Sequence, residues 1–171
     1  MKTRMLSLTS VAAYVLVIRP SLQRWGTTIV ERYAPMPGDD PSGQAKTKAT
    51  RAVTVNAPSK DVWAQLLDVN GFVWEPTVGT MLPGRLAGMG FTVAEVEPEK
   101  NLVLIRGGAD HALTRSAALH ALSDERTRLV IRTSAWTAPN ARGGLFGLYM
   151  DITDMVATFR LLLLVKRRSE R

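Results

Sequence analysis

The chain of 171 residues contains no cysteine. Disulfides and thiolate metal sites are therefore excluded, and the redox compartment is left open. Histidine is nearly as scarce, with only His111 and His120, and neither HExxH nor any other paired metal-ligand spacing occurs. No GxSxG elbow is present, so serine-hydrolase chemistry has no nucleophile in context. The glycines of GRLAGMG (residues 84–90) lack both the lysine–serine ending of a phosphate loop and the GxGxxG spacing of a dinucleotide fold. They read as hinge or hairpin glycines. Asp39-Asp40 is a pair of adjacent carboxylates without further ligands, which reads as a solvated turn rather than a metal site. No metal or cofactor is expected.

Acidic side chains are also in deficit, 15 against 22 lysines and arginines, for a formal charge of +7. Such a balance suits an anionic membrane surface or nucleic acid. The two RGG triplets, at residues 106–108 and 142–144, are isolated and form no tract, so nucleic acid is the weaker partner. An apolar fraction of 46% in a chain of this length fits one folded domain with a full core and leaves no room for two.

Long apolar runs are missing too. Lys2 and Arg4 precede Met5–Ile18, a stretch without charge closed by Arg19-Pro20. Its 14 residues would reach about 21 Å as a helix, short of the about 30 Å hydrocarbon core. Three readings compete: a signal peptide, a short membrane anchor, and a helix packed on the domain. No small-x-small cleavage site follows, which weighs against the first. Membrane association through residues 1–25 is the expectation, export after cleavage or a cytoplasmic location the alternatives. Positive residues at both ends leave the orientation open. Residues 26–48 then read as a connector. Thr27–Tyr33 could extend the preceding helix, but Pro35, Pro37, Gly38, Pro41 and Gly43 forbid regular structure afterwards.

What is present is organised around TRAVTVNAPSKDVWAQLLDV (residues 50–69). Arg51, Val53 and Val55 alternate with Ala52, Thr54 and Asn56, the period of a half-buried strand. Pro58 ends the strand and suits the first turn of a helix, with Asp61 near its N-terminus. Val62, Trp63, Leu66, Leu67 and Val69 then form one apolar helix face. This strand–proline–helix unit resembles the opening of the START/polyketide-cyclase (SRPBCC) superfamily, with its helix-grip fold. The resemblance extends to Arg24-Trp25-Gly26-Thr27, Pro37-Gly38-Asp39-Asp40, FTVAEVEPEKNLVLI (residues 91–105) and TRLVIR (residues 127–132). It points to a bacterial membrane-associated subgroup, and its motifs are structural rather than catalytic. It implies an α+β domain over residues 49–171, a curved antiparallel sheet wrapped around a long C-terminal helix. Relatives carry a longer insertion after the first helix, rich in aromatic and acidic residues, that helps roof the cavity. Here only GFVWEPTVGTMLPGRLAGMG (residues 71–90) remains, leaving Phe72 and Trp74 either to roof a cavity or to plug the core.

The remainder reads as an antiparallel meander and a final helix. Phe91–Val96 and Leu102–Ile105 flank a turn, Arg106-Gly107-Gly108 breaks the second strand, and Leu113–Leu122 and Thr127–Trp136 enclose a hairpin loop. Leu129, Ile131 and Thr133 share the face expected to be concave, with Arg128, Val130 and Arg132 on the other. Ala138–Gly144 reads as a loop and Leu145–Val165 as a helix, with Leu148, Ile152, Met155, Val156, Phe159 and Leu163 near one stripe. A sheet wrapped around such a helix leaves an apolar ligand site between them. Its candidate lining is Trp74, Phe91, Leu129, Ile131, Trp136, Met155 and Phe159, and its expected partner a hydrophobic small molecule or lipid. The resemblance carries an enzymatic alternative, because some relatives are aromatases and cyclases that orient a polyketide with arginine and hydroxyl groups. Arg115, Ser116 and Thr133 could supply such groups or could point to solvent. A structural protein with a filled core is the third reading. Convergent polar groups inside the cavity would favour chemistry over plain binding.

Overall fold

The computed structural model describes residues 19–39, 47–82, 90–108, 111–137 and 141–171. The run Met5–Ile18 and the glycines of residues 84–88 lie outside the described residues. Among the described residues, no helix is long and apolar enough to cross a membrane.

Six strands form one antiparallel sheet. They are β1 (Thr47–Val55), β2 (Met81–Leu82), β3 (Phe91–Glu97), β4 (Asn101–Gly108), β5 (His111–Ser123) and β6 (Arg126–Thr137). Their spatial order is β1-β6-β5-β4-β3-β2, so all but the β1–β6 contact join sequence neighbours. β1 stops where expected, at Val55, and Pro58 stands at the N-cap of the helix Ser59–Asn70. That helix ends at Gly71, whose φ of 91° is the left-handed conformation a helix stop commonly requires. The strand over Asn101–Gly108 outlasts the expected break at Arg106. Gly107 and Gly108 pair in register with Ala112 and His111, so the hairpin ladder carries the glycines along.

The long C-terminal helix runs from Ala141 to Ser169, starting before the expected loop has ended. Its orientation differs from the reading of its apolar stripe. Asp154, Thr158, Leu161, Leu162 and Val165 are buried, while Ile152, Val156 and Leu163 are 40–51% exposed. The helix is rotated so that a carboxylate and a hydroxyl, rather than its most apolar line, face the sheet. Apolar periodicity alone favours the wrong rotation here, because the partner surface on the sheet is itself polar.

The lower half of the concave face is a packed core. Val55, Leu129, Ile131, Leu102, Leu104, Ala117 and Leu119 from the sheet meet Val62, Trp63, Leu66 and Leu67, and also Leu161, Leu162 and Val165. Trp63 is buried as the face of its helix requires, and its Nε1 donates to Glu75 Oε1 at 2.9 Å.

The convex face is covered as well. Thr27–Tyr33 does not continue the preceding helix: α1 (Arg19–Gln23) ends, Gly26 turns at φ 70°, and a separate α2 (Ile29–Tyr33) begins. Thr28 and Glu31 form a capping box that starts α2. Labelled in chain order, Ser59–Asn70 is α3 and Ala141–Ser169 is α4. The chain crosses from one face of the sheet to the other around the β1 edge at Trp25-Gly26. Ala52 N–H donates to Trp25 O, and a Cβ on Gly26 would stand 2.2 Å from Ala52 O, so only glycine fits the crossing. Beyond it, Arg128 holds Glu31 through Nε at 2.7 Å and Nη2 at 2.9 Å. Arg132, 1% exposed, donates to Thr50, Glu31 O, Arg32 O, Ala34 O and Asp39. Ser116 reaches Pro37 O at 2.5 Å. Asp39 therefore neutralises a buried arginine, and also Lys48 at 3.2 Å, rather than simply solvating a turn.

The hydrogen bond from Arg128, partly opposed by burial, lowers the Glu31 carboxyl to about 2. A depressed carboxylate contributes stability that is complete above its unfolded value and is lost as pH falls towards its folded one. The Glu31 contribution is thus expected to fade between pH about 4.5 and 2. Glu31→Gln should cost about 1 kcal/mol at neutral pH and abolish that part of the acid sensitivity. Urea titrations of the two proteins at neutral and acid pH measure both effects.

Candidate functional site

The upper half of the concave face is polar. Register alone brings its members together: Arg51 opposes Ile131, and Thr133 opposes Arg115 and Ala49, so all share one face. From α4, Asp154 enters this face and is nearly fully buried. Arg115 Nη2 donates to Asp154 Oδ1 at 2.7 Å, and Arg51 Nη1 to Oδ2 at 3.2 Å. Thr133 Oγ1 reaches Oδ1 at 3.2 Å, and Thr158, one turn along α4, reaches it at 3.4 Å. One carboxylate thus collects two guanidinium groups and two hydroxyls inside the domain.

Aromatic rings frame this cluster. Phe159 packs against Trp25 with ring centroids 4.8 Å apart, and the Arg51 guanidinium stands 5.8 Å from the Phe159 ring. Arg51 Nε also donates to Leu22 O at 3.0 Å, which ties α1 to the site. On the other side, Arg106 and Arg115 lie 4.9 and 5.2 Å from the centre of Phe91, within cation–π range. Burial lowers the Arg106 guanidinium below its ordinary value, the Arg115 charge adds to this, and Asp154 opposes it. Arg115 retains a buried Nε without a hydrogen-bond partner among the described residues.

The candidate lining residues separate into groups. Phe91 and Phe159 border the polar cluster, and Met155, next to Asp154 on α4, is half-buried. Leu129 and Ile131 belong to the packed lower core, with 0% and 1% exposure. Trp136 pairs with Ala112, and the strict alternation of β6 puts it on the convex face with Arg132 and Ser134. It does not face the concave side, a correction that its own register dictates. Trp74 is 77% exposed in the loop after α3, while Phe72 packs against the core. Of the possible polar groups, Arg115 and Thr133 point inward and Ser116 lies on the convex face. Sequence reasoning missed Arg51, Asp154 and Thr158. The available signal was a carboxylate and a hydroxyl at i and i+4 in an otherwise apolar helix.

The fold that carries this site is similar to that of solved structures. A protein of Mesorhizobium loti, MLL2253, superposes with a TM-score of 0.51 at 18% identity, over 71% of this chain and 98% of that one. The ZhuI aromatase/cyclase from Streptomyces sp. R1128 gives 0.50 at 18%, over 73% of this chain and 94% of that one. One part of the di-domain aromatase/cyclase BexL, of the BE-7585A biosynthetic pathway, gives 0.54 at 15%, over 72% of this chain and 46% of that one. The fold is the helix-grip fold. At these identities the likeness concerns the architecture: a curved antiparallel sheet closed on its concave side by a C-terminal helix. No protein-family model matches the sequence, and no curated protein matches it.

Proposed function

We propose that the upper concave face of this helix-grip domain binds a hydrophobic small molecule or lipid carrying oxygen substituents. Phe91, Met155 and Phe159 supply apolar contact, and Arg115 and Arg106 orient the oxygens. The observation that carries this reading is the convergence of Arg51, Arg115, Thr133 and Thr158 on Asp154 above a separately packed core. A core selected for stability alone gains little from buried ion pairs, since apolar residues of similar volume serve as well or better. The buried Nε of Arg115 is a donor suited to a ligand oxygen. The solved aromatase/cyclases of the same fold, together with these convergent groups, support a second reading, cyclase-like catalysis on the same face.

Membrane association through the run before Arg19 is part of the proposal. Because Leu22 and Trp25 contact the site, the truncation that tests it must begin at Arg19. That protein is expected to stay folded and to be released from the membrane fraction by high salt, under which the parent stays bound.

Binding is tested with an anilinonaphthalene sulfonate probe, an aromatic anion whose fluorescence rises in apolar surroundings. Arg115→Leu is expected to weaken binding by about tenfold or more, the value of a charge-assisted hydrogen bond. Ile152→Ser, on the exposed side of α4, should leave it unchanged. Absence of binding by the parent, or equal binding by Arg115→Leu, would refute the reading. Conversion of a linear polyketone to a cyclised product, lost in Arg115→Leu, would select catalysis over binding.

A further inference from the structure

The loop joining α3 to β2 is fixed on its inner side and apolar on its outer side. Phe72 N–H donates to Leu67 O at 3.0 Å, Phe72 packs on the core, and Pro76 is buried. Glu75 accepts from the indole of buried Trp63. Thr77 and Thr80 close a turn on each other, Thr80 N to Thr77 O at 3.0 Å and Thr77 N to Thr80 Oγ1 at 3.1 Å. Gly79 N–H and Thr80 O then bond Val93 of β3 at 2.8 and 2.9 Å. With those groups committed inward, the loop and the first residue of β2 present Val73, Trp74, Val78 and Met81 outward, at 83%, 77%, 67% and 76% exposure. Four large apolar side chains held in place on nine residues are not the scattered surface apolar residues of an ordinary loop.

The surroundings of the loop indicate its partner. Asp68, in the last turn of α3 before it, is paired with Arg168 at the end of α4. Arg168 belongs to a basic terminus with Lys166 and the exposed Arg167 and Arg171. We propose that this loop is a membrane-docking wedge. Trp74, Val73, Val78 and Met81 enter the interfacial layer of a bilayer while the basic end of α4 contacts anionic headgroups. Tryptophan favours that layer because its ring is amphipathic, and basic residues beside an apolar surface add attraction to anionic lipid. This contact is separate from the N-terminal run and independent of the ligand reading.

The test uses the full chain and phosphatidylcholine vesicles with and without phosphatidylglycerol, some prepared with bromine-labelled acyl chains. The parent is expected to bind the phosphatidylglycerol vesicles more tightly, less so at high salt. Its tryptophan emission should be quenched by the bromine label, and Trp74→Phe should remove most of that quenching. A protein carrying Val73→Ser, Trp74→Ser, Val78→Ser and Met81→Ser should lose about tenfold or more in partitioning with an unchanged circular dichroism spectrum. Quenching that persists in Trp74→Phe would overturn the proposal. So would equal partitioning of the four-serine protein, which would assign binding to the N-terminal run alone. A concentration-dependent dimer that the serine substitutions abolish, without lipid quenching, would make a second copy the occupant and equally overturn it. Should the four-serine protein fail to fold, the conservative Trp74→Phe quenching result decides.

Discussion

Asp154→Ala is expected to destabilise the domain by about 3–5 kcal/mol, because it leaves a buried guanidinium without its counter-charge. Arg51 is 1% exposed, and its carboxylate partner is Asp154. Arg115, less deeply buried, loses its 2.7 Å partner in the same substitution. The cause is charge left unpaired rather than volume lost, and a second protein separates the two. Arg51→Met, Arg115→Met and Asp154→Leu combined removes every charge of the cluster while keeping its bulk. That protein should recover most of the loss, and a gain over the parent would be unsurprising. Urea unfolding of both supplies the measurement. A loss below about 1 kcal/mol for Asp154→Ala would mean that water already reaches the cluster. The combined protein also bears on function: if stable yet unable to bind the anionic probe, it separates the role of the cluster in binding from its role in folding.

Arg132→Ala should cost a similar amount, about 3–5 kcal/mol, on the opposite face of the sheet. Its guanidinium satisfies three main-chain carbonyls, of Glu31, Arg32 and Ala34, together with Asp39 and Thr50. Those carbonyls are the last ones of the short α2 and its C-cap, which have no N–H partners further along a helix, so no ladder replaces the lost donors. The expected result is local as well as global: amide exchange should rise over Thr28–Asp39 before it rises in the strands. Arg132→Lys should not rescue, since one ammonium cannot span acceptors arranged around a planar fork. Exchange that rises uniformly, or not at all, would show that the segment is held by other contacts.

Much of the architecture was legible in order along the chain. Alternation of Arg51, Val53 and Val55, the stop at Pro58, and the face of Val62, Trp63, Leu66 and Leu67 depend on periods that local sequence records directly. The hairpin between the last two strands and the concave placement of Leu129, Ile131 and Thr133 follow from the same periods. The strands run on to Ser123 and from Arg126, leaving a tighter turn than the loop expected. The prolines after Tyr33 argued against regular structure there and left open which surface the segment covers.

What remained hidden depended on partners distant in sequence. The rotation of α4 followed from Arg51 and Arg115, 103 and 39 residues from Asp154. Two buried guanidiniums outweigh the burial of Ile152 and Val156, because an unpaired interior charge costs more than an exposed aliphatic side chain. The same reasoning explains Arg132, whose polar type predicts exposure and whose five acceptors permit burial. It also explains Trp74, an apolar residue left outside because Phe72 and Pro76 already occupy the inner side of its loop. The courses of β1, β3, β5 and β6, the helix after Pro58 and most of the faces they present were legible locally, because backbone periodicity and turn chemistry act between neighbours. The short β2 and the placement of Trp136 were not. Which charged residues are buried and which apolar ones are exposed was settled by the assembled fold, because desolvation and pairing depend on groups brought together from distant parts of the chain.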